Sequence, residues 1–219
     1  MNNNRYERKF VINNLNLTQI LIAIYRSKFF FKNIYVSRKV NSIYFDDVNL
    51  SSINENLDGI SEKTKIRVRW YGDSQIIKNP ILEIKKKREF YVNKETMPLK
   101  LNNLEFLNSK NLYFLEDYLN NLEFLKRLNL KKKLILVSST HYKRKYFLSA
   151  NNLIRATLDD NQMSYSFLSS KYNNIKKKYS DFILELKYSE NIDEFVKSNI
   201  ENFSLRLSKN SKYFKSIMI

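Results

Sequence analysis

Apolar and charged side chains alternate in segment after segment of this 219-residue chain. The stretch KIRVRWY, residues 65–71, places Lys65, Arg67 and Arg69 at every second position, with apolar side chains between them. Because a β-strand sends alternate side chains to opposite faces, the stretch is predicted to be a strand with one cationic and one apolar face. Cations two positions apart lie about 7 Å from each other and repel by roughly 2 kcal/mol at an effective dielectric of about 20. We therefore expect an anion to neutralise this face.

The same alternation predicts most of the remaining secondary structure. Further strands are predicted at 5–12, 40–47, 81–87, 134–148, 152–160 and 181–189, and helical spacing of apolar residues predicts helices at 17–32, 103–130 and 192–200. The charge runs at 131–133 and 171–180 are interpreted as solvated loops, with capture of phosphate as the less favoured alternative. No repeat and no Gly/Ser linker divides the chain, so a single domain over residues 1–219 is predicted.

The polar faces of the predicted strands repeat one motif. Glu-x-Lys occurs at Glu7/Lys9, Glu83/Lys85 and Glu185/Lys187, and these strands lie far apart in sequence. One such pair is usually a weak surface ion pair, whereas three suggest a charged surface shared by many strands. Either an open sheet presents this face to nucleic acid, or a closed barrel encloses it. The barrel is favoured, since the chain has only two glycines for close backbone approach and carries carboxylates among its cations.

Composition points to an anionic partner. Lys and Arg number 39 against 22 Asp and Glu, a formal net charge of +17, which suits nucleic acid, a membrane surface or a phosphate-rich molecule. Cysteine is absent, so disulfides, thiolate metal sites and cysteine nucleophiles are excluded. The single histidine, His141, is predicted to be half exposed at a strand entrance. The N-terminus has no apolar signal region and no window could span a bilayer, so we expect a cytoplasmic protein without a transmembrane segment.

Eight segments in order carry a resemblance to a known family. RYERKF, VNSIYFDD, KIRVRWYG, LEIKKK, YKRKYF, LIRATLDD, ILELKY and the closing SKYFK resemble the VTC domain, from Arg5 to about Lys215. This is the polyphosphate-polymerase branch of the triphosphate tunnel metalloenzymes, which also include the CYTH domains. The resemblance implies an α+β fold: a closed eight-stranded antiparallel β-barrel with helices packed outside. It also implies a phosphotransferase that adds the γ-phosphoryl group of ATP to polyphosphate with Mn²⁺ or Mg²⁺.

The resemblance assigns roles by position. Glu185 would bind the metal, with Glu7 as a candidate second ligand or as a support for Lys9. Glu83 is expected to hold Lys85. Asp159 is expected to orient an arginine of its own strand. The implied phosphate-binding residues are Lys9, Arg67, Arg69, Lys85, Arg144, Arg155, Lys187, Lys209 and Lys212, of which Arg67, Arg69, Lys209 and Lys212 are also implied in catalysis.

Two other functions remain open at this point. A tunnel triphosphatase, which cleaves triphosphate or nucleoside triphosphates, could share every phosphate-binding residue. A non-catalytic module that binds polyphosphate would keep the arginines without productive metal geometry. A nucleic-acid partner is the least favoured of the anionic partners, and ATP with polyphosphate or triphosphate is the most favoured.

Overall fold

The computed structural model describes residues 5–58, 60, 62–88, 91–101, 103–128, 132–168, 175–200, 207–208 and 211–218. Its strands are β1 (Arg5–Ile12), β2 (Lys32–Asp47), β3 (Lys63–Tyr71), β4 (Ile76–Ile77), β5 (Ile81–Arg88), β6 (Tyr91–Pro98), β7 (Leu104–Glu105), β8 (Leu134–Leu148), β9 (Arg155–Ser166), β10 (Ile175–Tyr179) and β11 (Phe182–Ser189). Its helices are α1 (Leu17–Arg26), α2 (Ser51–Leu57), α3 (Ser109–Asn121), α4 (Glu123–Arg127), a 3₁₀ turn (Glu190–Ile192), α5 (Asp193–Ile200) and α6 (Lys212–Lys215).

Hydrogen bonding places nine of these strands in one sheet. Neighbours follow the order β1-β11-β9-β8-β2-β3-β5-β6, with β10 beside β9, and a separate short pair joins β4 to β7. The pairs β1/β11, β11/β9, β2/β3, β3/β5 and β5/β6 are all antiparallel. The fold is therefore an antiparallel, β-rich α+β fold.

The closed barrel of eight strands predicted from the resemblance is wrong for the described residues. Their sheet has nine strands, and it stays open because β1 and β6 stand at its two ends without pairing to each other. One end has a different neighbour: Phe10 of β1 forms an isolated bridge with Leu207, and Ser208 donates its backbone N–H to the Lys9 carbonyl at 2.8 Å. The backbone groups of β1 that bond to Leu207 and Ser208 cannot at the same time pair with another strand to close a barrel.

Contacts divide the chain into two compact units. The first comprises Met1–Arg38, Tyr142–Gln162 and Lys178–Ser211. The second comprises Lys39–His141, Met163–Lys177 and Lys212–Ile219. Strands β2, β8, β9 and β10 contribute residues to both. The single domain predicted for residues 1–219 stays a prediction.

In the first unit, α1 covers the apolar face of the strands. Asn16 begins the helix with a capping box. Its side chain accepts a hydrogen bond from the Gln19 backbone N–H, and the Gln19 side chain accepts one from the Asn16 backbone N–H. Ile20 and Ile24, one turn apart, are buried against apolar residues of β1, β9 and β11. The helix ends at Arg26, earlier than predicted. The following aromatic residues Phe29 and Phe31 are buried beyond the helix, leading into β2.

In the second unit, α3 has the same role. Asn108 caps it by accepting from the backbone N–H groups of its first turn. Leu112, Leu115 and Leu119 are each 0% exposed and pack with Val68, Trp70 and other apolar residues of β2, β3 and β5. The predicted single helix over 103–130 is instead β7, α3 and α4. The prediction that helices cover the apolar strand faces is confirmed within each unit.

Some predicted loops and strands are also corrected. Residues 175–179, part of a charge run interpreted as a loop, form β10, and β2 begins eight residues before the predicted strand. Within the described part of the chain, no helix combines the length and the apolar character needed to cross a membrane.

Leu115→Ala should destabilise the protein through its effect on the second unit. Removing a fully buried leucine side chain leaves a cavity beneath α3, and we expect the free energy of unfolding to fall by about 2–5 kcal/mol. Urea denaturation measures this change. Phe114→Ala, one residue earlier but 49% exposed, is the matched control and should cost about 1 kcal/mol or less. Equal losses in the two variants would contradict the assigned core face of α3.

Candidate phosphate-binding site

Strands β1 and β11 bring four charged side chains together in the first unit. The strand register sets Glu7 opposite Lys187 and Lys9 opposite Glu185, and we refer to these residues as the first cluster. The lysine ammonium groups alternate with the carboxylates: Lys9 Nζ is 2.5 Å from Glu7 Oε1 and 3.7 Å from Glu185 Oε2. Lys187 Nζ is 2.8 Å from Glu185 Oε1 and 3.5 Å from Glu7 Oε2. The two carboxylates thus balance the two lysines.

Arg144 on β8 is held by Asp159 on the neighbouring strand β9. Its Nε and Nη2 donate to the two carboxylate oxygens of Asp159 at 2.6 and 2.7 Å, and the guanidinium lies 5.2 Å from the centroid of the Tyr142 ring. Burial would lower the pKa of Arg144, but Tyr142 and Asp159 raise it well above its usual value. Asp159 was expected to orient Arg155, and the structure shows that it binds Arg144 instead. The side chain of Arg155 is exposed.

A buried hydroxyl lies beside the first cluster. Thr157 stands directly opposite Glu185 in the β9/β11 ladder. Its Oγ1 is buried and has no hydrogen-bond partner among the residues that the structure describes. Because a buried hydroxyl normally finds a partner, this oxygen marks a place where a water molecule or a ligand oxygen would be stabilised.

The donor set of the first cluster can be compared with what a divalent cation needs. No three carboxylate or imidazole side chains converge in the described ranges, so a cage built from protein ligands alone is absent there. Mg²⁺ commonly takes one or two carboxylates and completes its shell with water and substrate phosphates. Glu185 and Glu7, which share both lysines, offer such a pair, and the free hydroxyl of Thr157 offers a further oxygen. The donor chemistry therefore fits the metal implied by the resemblance.

Strands β3, β5 and β6 form a second cluster: Arg67, Arg69, Glu83 and Lys94. Glu83 is 7% exposed and receives three cations, two of them arginines of β3. Arg67 Nε and Nη2 lie 2.6 and 2.5 Å from Glu83 Oε2, and Arg69 Nη1 lies 3.6 Å from the same oxygen. Lys94 donates to the other carboxylate oxygen at 2.8 Å. One carboxylate among three cations leaves a surplus of two positive charges.

The excess of positive charge continues along β3 and β5. The β3/β5 register sets Lys63 opposite Lys87 and Lys65 opposite Lys85, just beyond the pair formed by Arg67 and Glu83. Like charges directly opposite each other on a sheet are destabilising, so this alignment opposes folding unless anions offset it. We refer to these lysines together with the second cluster as the cationic face. It carries seven cations and one carboxylate: Lys63, Lys65, Arg67, Arg69, Lys85, Lys87, Lys94 and Glu83.

The expectation for Glu83 is corrected by this geometry. Glu83 was expected to hold Lys85 in place, and its contacts are instead with Arg67, Arg69 and Lys94. The strand register explains this, since Arg67 stands directly across from Glu83 whereas Lys85 faces Lys65.

Tyr44 is a neighbour of the arginines that the sequence analysis did not identify. It stands opposite Arg67 in the β2/β3 ladder and is 4% exposed. Burial would raise the pKa of its hydroxyl, but Arg67 and Arg69 lower it below its usual value. Its position opposite KIRVRWY on an alternating strand was the available signal. An aromatic ring in such a pattern is usually assigned to packing.

The closing SKYFK segment supplies α6. Lys212 is the first residue of this short helix, and the next residue, Tyr213, is 2% exposed and packs against Tyr44. Lys209, the other lysine implied in catalysis, lies outside the described residues.

Trp70 and His141 are both core residues of the second unit. Trp70 is one of the apolar side chains that alternate with the cations of KIRVRWY, and it is 0% exposed. The prediction of a half-exposed His141 is wrong, because its side chain is 4% exposed in the middle of β8. Its Nδ1 is 2.9 Å from Asn41 Oδ1, and its ring contacts Trp70 and Phe106. Burial, with Lys176, lowers the pKa of His141 to about 4, so the ring is neutral at physiological pH.

The fold and the cationic face define an antiparallel α+β protein suited to a chain of phosphates. The family model of the VTC domain matches residues 4–219, and the chain belongs to this family. The resemblance seen in the sequence is thereby confirmed. Membership supports a function connected with polyphosphate or triphosphate. No curated protein sequence matches the chain.

Solved structures share the fold at low sequence identity. A proposed adenylate cyclase from Bacillus halodurans is 12% identical, with a TM-score of 0.53 and 97% of each chain covered. A second proposed adenylate cyclase, from Vibrio parahaemolyticus, is 10% identical, with a TM-score of 0.50, and covers 100% of this chain and 99% of that one. At such identities the likeness concerns the fold alone.

Acid should destabilise the protein through Glu83. Burial would raise the pKa of this carboxyl group, but Arg67, Arg69 and Lys94 lower it from 4.5 to about 2. Because the folded pKa lies below the unfolded one, the stabilisation is complete above pH 4.5 and is lost as the pH falls towards about 2. It amounts to something on the order of 3 kcal/mol.

Glu83→Gln should therefore lower the free energy of unfolding at neutral pH and flatten its pH dependence below pH 4.5. Urea denaturation at a series of pH values measures both effects. Glu123→Gln is the control, since the Glu123 side chain is 82% exposed in an ordinary helix-surface pair. A wild-type slope retained in the Glu83 variant would contradict the role of this carboxylate.

Proposed function

We propose that this protein is a metal-dependent polyphosphate polymerase that transfers the γ-phosphoryl group of ATP to a growing polyphosphate chain. One observation carries the proposal: the β3/β5 register lines up lysines opposite lysines beside Arg67 and Arg69. A linear polyanion offsets such a row of cations at several points, which a single phosphate cannot do. Membership of the VTC family supports the same substrate class.

The chemistry needs positioned cations more than proton transfer. In the transition state, negative charge spreads over three equatorial oxygens of the transferred group. Arg67 and Arg69 would clamp phosphate oxygens through paired N–H donors, and Lys85 would add a movable point charge. Their advantage is electrostatic preorganisation, since Glu83 already fixes both guanidinium groups before substrate arrives.

The bond changes balance without a general base. An ionised oxygen of the terminal phosphate of the chain forms a bond to the γ-phosphorus, and the bond from that phosphorus to the oxygen of ADP breaks. ADP departs as an anion, and no proton has to be removed from the attacking oxygen. His141 is buried and neutral among aromatic rings, so it is not needed in this step.

The first cluster has a separate part in the proposal. Glu185, with Glu7 as the candidate second ligand, would hold Mn²⁺ or Mg²⁺. The ion would supply positive charge against the phosphate oxygens. Lys9 and Lys187 pair with these carboxylates in the structure, and both would also contact phosphate. Arg144 would add a further phosphate contact, and the exposed Arg155 another.

Turnover with ATP tests the proposal directly. Purified protein with ATP and Mn²⁺ should produce ADP and long phosphate chains, measured by gel separation of the chains and by ADP release. Glu185→Gln should lower turnover by about 100-fold or more while largely sparing ATP binding, because it removes the metal ligand but keeps the shape of the side chain.

The other outcomes have distinct meanings. Release of monophosphate without chains would replace the polymerase by a tunnel triphosphatase. Tight polyphosphate binding without any turnover, unaffected by Glu185→Gln, would indicate a non-catalytic binding module.

Arg67→Ala should weaken the binding of triphosphate. Loss of one charge-assisted contact should cost about 1.5–3 kcal/mol, which raises Kd by roughly 10- to 150-fold. Isothermal titration calorimetry measures this change. Arg127→Ala is the matched control, since it removes the same charge from the surface of α4, where the side chain is 79% exposed. If both variants bound triphosphate like the wild type, the cationic face would not be the binding surface.

A further inference from the structure

The C-terminal helix α6 is fixed in the second unit by one tyrosine. Tyr213 is 2% exposed, and its ring centroid lies 4.9 Å from that of Tyr44. Its hydroxyl donates a 2.7 Å hydrogen bond to Asp46 Oδ2. Burial and Asp46 both raise the pKa of Tyr213 well above its usual value, so the hydroxyl keeps its proton and stays a donor. At the other end of α6, Ser216 Oγ lies 2.8 Å from Ser138 Oγ, with both residues 0% exposed.

Asp46 is a rigid acceptor for this bond. Its Oδ1 accepts the backbone N–H groups of Asp47 and Ser52 at 2.9 and 3.1 Å, and its Oδ2 accepts that of Ile53 at 3.3 Å. The carboxylate therefore caps the start of α2 and is 2% exposed. A carboxylate held by three backbone donors does not rotate freely, so it fixes the position of the group that binds to it.

The tyrosine pair connects α6 to the cationic face. Tyr44, on which Tyr213 packs, stands opposite Arg67 in the β2/β3 ladder. Lys212 directly precedes Tyr213, so its Cα lies about 3.8 Å from that of the anchored tyrosine. An anchored neighbour restricts the backbone of Lys212, from which a long and flexible lysine side chain extends.

We propose that Asp46 and Tyr213 form a latch that positions Lys212 for phosphoryl transfer. Tyr213 is a positioning residue in this scheme, because it acts through Lys212 and does not touch the substrate. The inference rests on the proposed function and on the catalytic role that the resemblance to the VTC domain implies for Lys212. The latch predicts that the tyrosine hydroxyl matters for turnover only while Lys212 is present.

A double-mutant cycle tests this dependence. Tyr213→Phe removes one oxygen and keeps the ring on Tyr44. It should lower kcat by about 10- to 100-fold, with the KM for ATP changed less than about 3-fold, because a reacting group displaced by about 1 Å loses much of its effect. In the Lys212→Ala background, the same substitution should change kcat by less than about 2-fold.

A matched tyrosine supplies the control. Tyr188 in the first unit also donates a 2.7 Å hydrogen bond to a carboxylate, Asp193 Oδ1. Tyr188→Phe should leave kcat within about 2-fold of the wild type in both backgrounds. A loss of kcat from Tyr213→Phe that is equally large with and without Lys212 would overturn the latch, and so would the absence of any loss in the wild-type background.

A second measurement separates the latch from the proposed function. Hydrogen exchange of residues 211–218 should accelerate by about 10-fold or more in Tyr213→Phe and remain unchanged in Tyr188→Phe. This readout needs no turnover. An inactive wild type with accelerated exchange would refute the proposed function and keep the anchoring of α6, whereas unchanged exchange would refute the anchoring itself. If Tyr213→Phe does not fold, Ser216→Ala, which removes the bond to Ser138, goes through the same cycle.

Discussion

The arrangement of the second unit depends on one ion-paired carboxylate. Glu83 lies at the centre of β5 and joins Arg67 and Arg69 on one neighbouring strand to Lys94 on the other. Without it, three cations would face one another at a partly buried position, where charge repulsion is weakly screened. The carboxylate offsets enough charge for the strands to pair. Within this cluster it leaves a surplus of two positive charges, which an anion would offset.

The two clusters differ in charge balance, and that difference suggests different chemical roles. In the first cluster, two carboxylates match two lysines, so the formal charges balance. In the second cluster, cations exceed carboxylates, so the site stays attractive to anions at all times. A chain that held only the second kind of site would bind phosphate well. The carboxylates of the first cluster are the ones that the proposal assigns to a metal ion.

Packing on the opposite strand faces makes these charged faces possible. In each unit the helices bury the apolar side of the strands, with α1 on one set and α3 on the other. Burial of large apolar side chains is the main favourable term in folding, and it offsets the repulsion among the cations on the polar side of the strands. His141 and Trp70 both lie in the core of the second unit, at 4% and 0% exposure.

The sequence by itself determined the strands, their faces and the family. Alternation with a period of two is a local property, so it predicted β1, β3 and β8 closely and marked Arg67 and Arg69 as residues of one polar face.

Only the tertiary structure decided which charges meet. Asp159 binds Arg144 and not Arg155, because pairing between strands depends on register, which a single strand does not encode. Likewise, Leu207 bridges Phe10 of β1, a contact between residues almost two hundred positions apart. Such long-range contacts form only when the whole chain folds, and no local pattern of side chains predicts them.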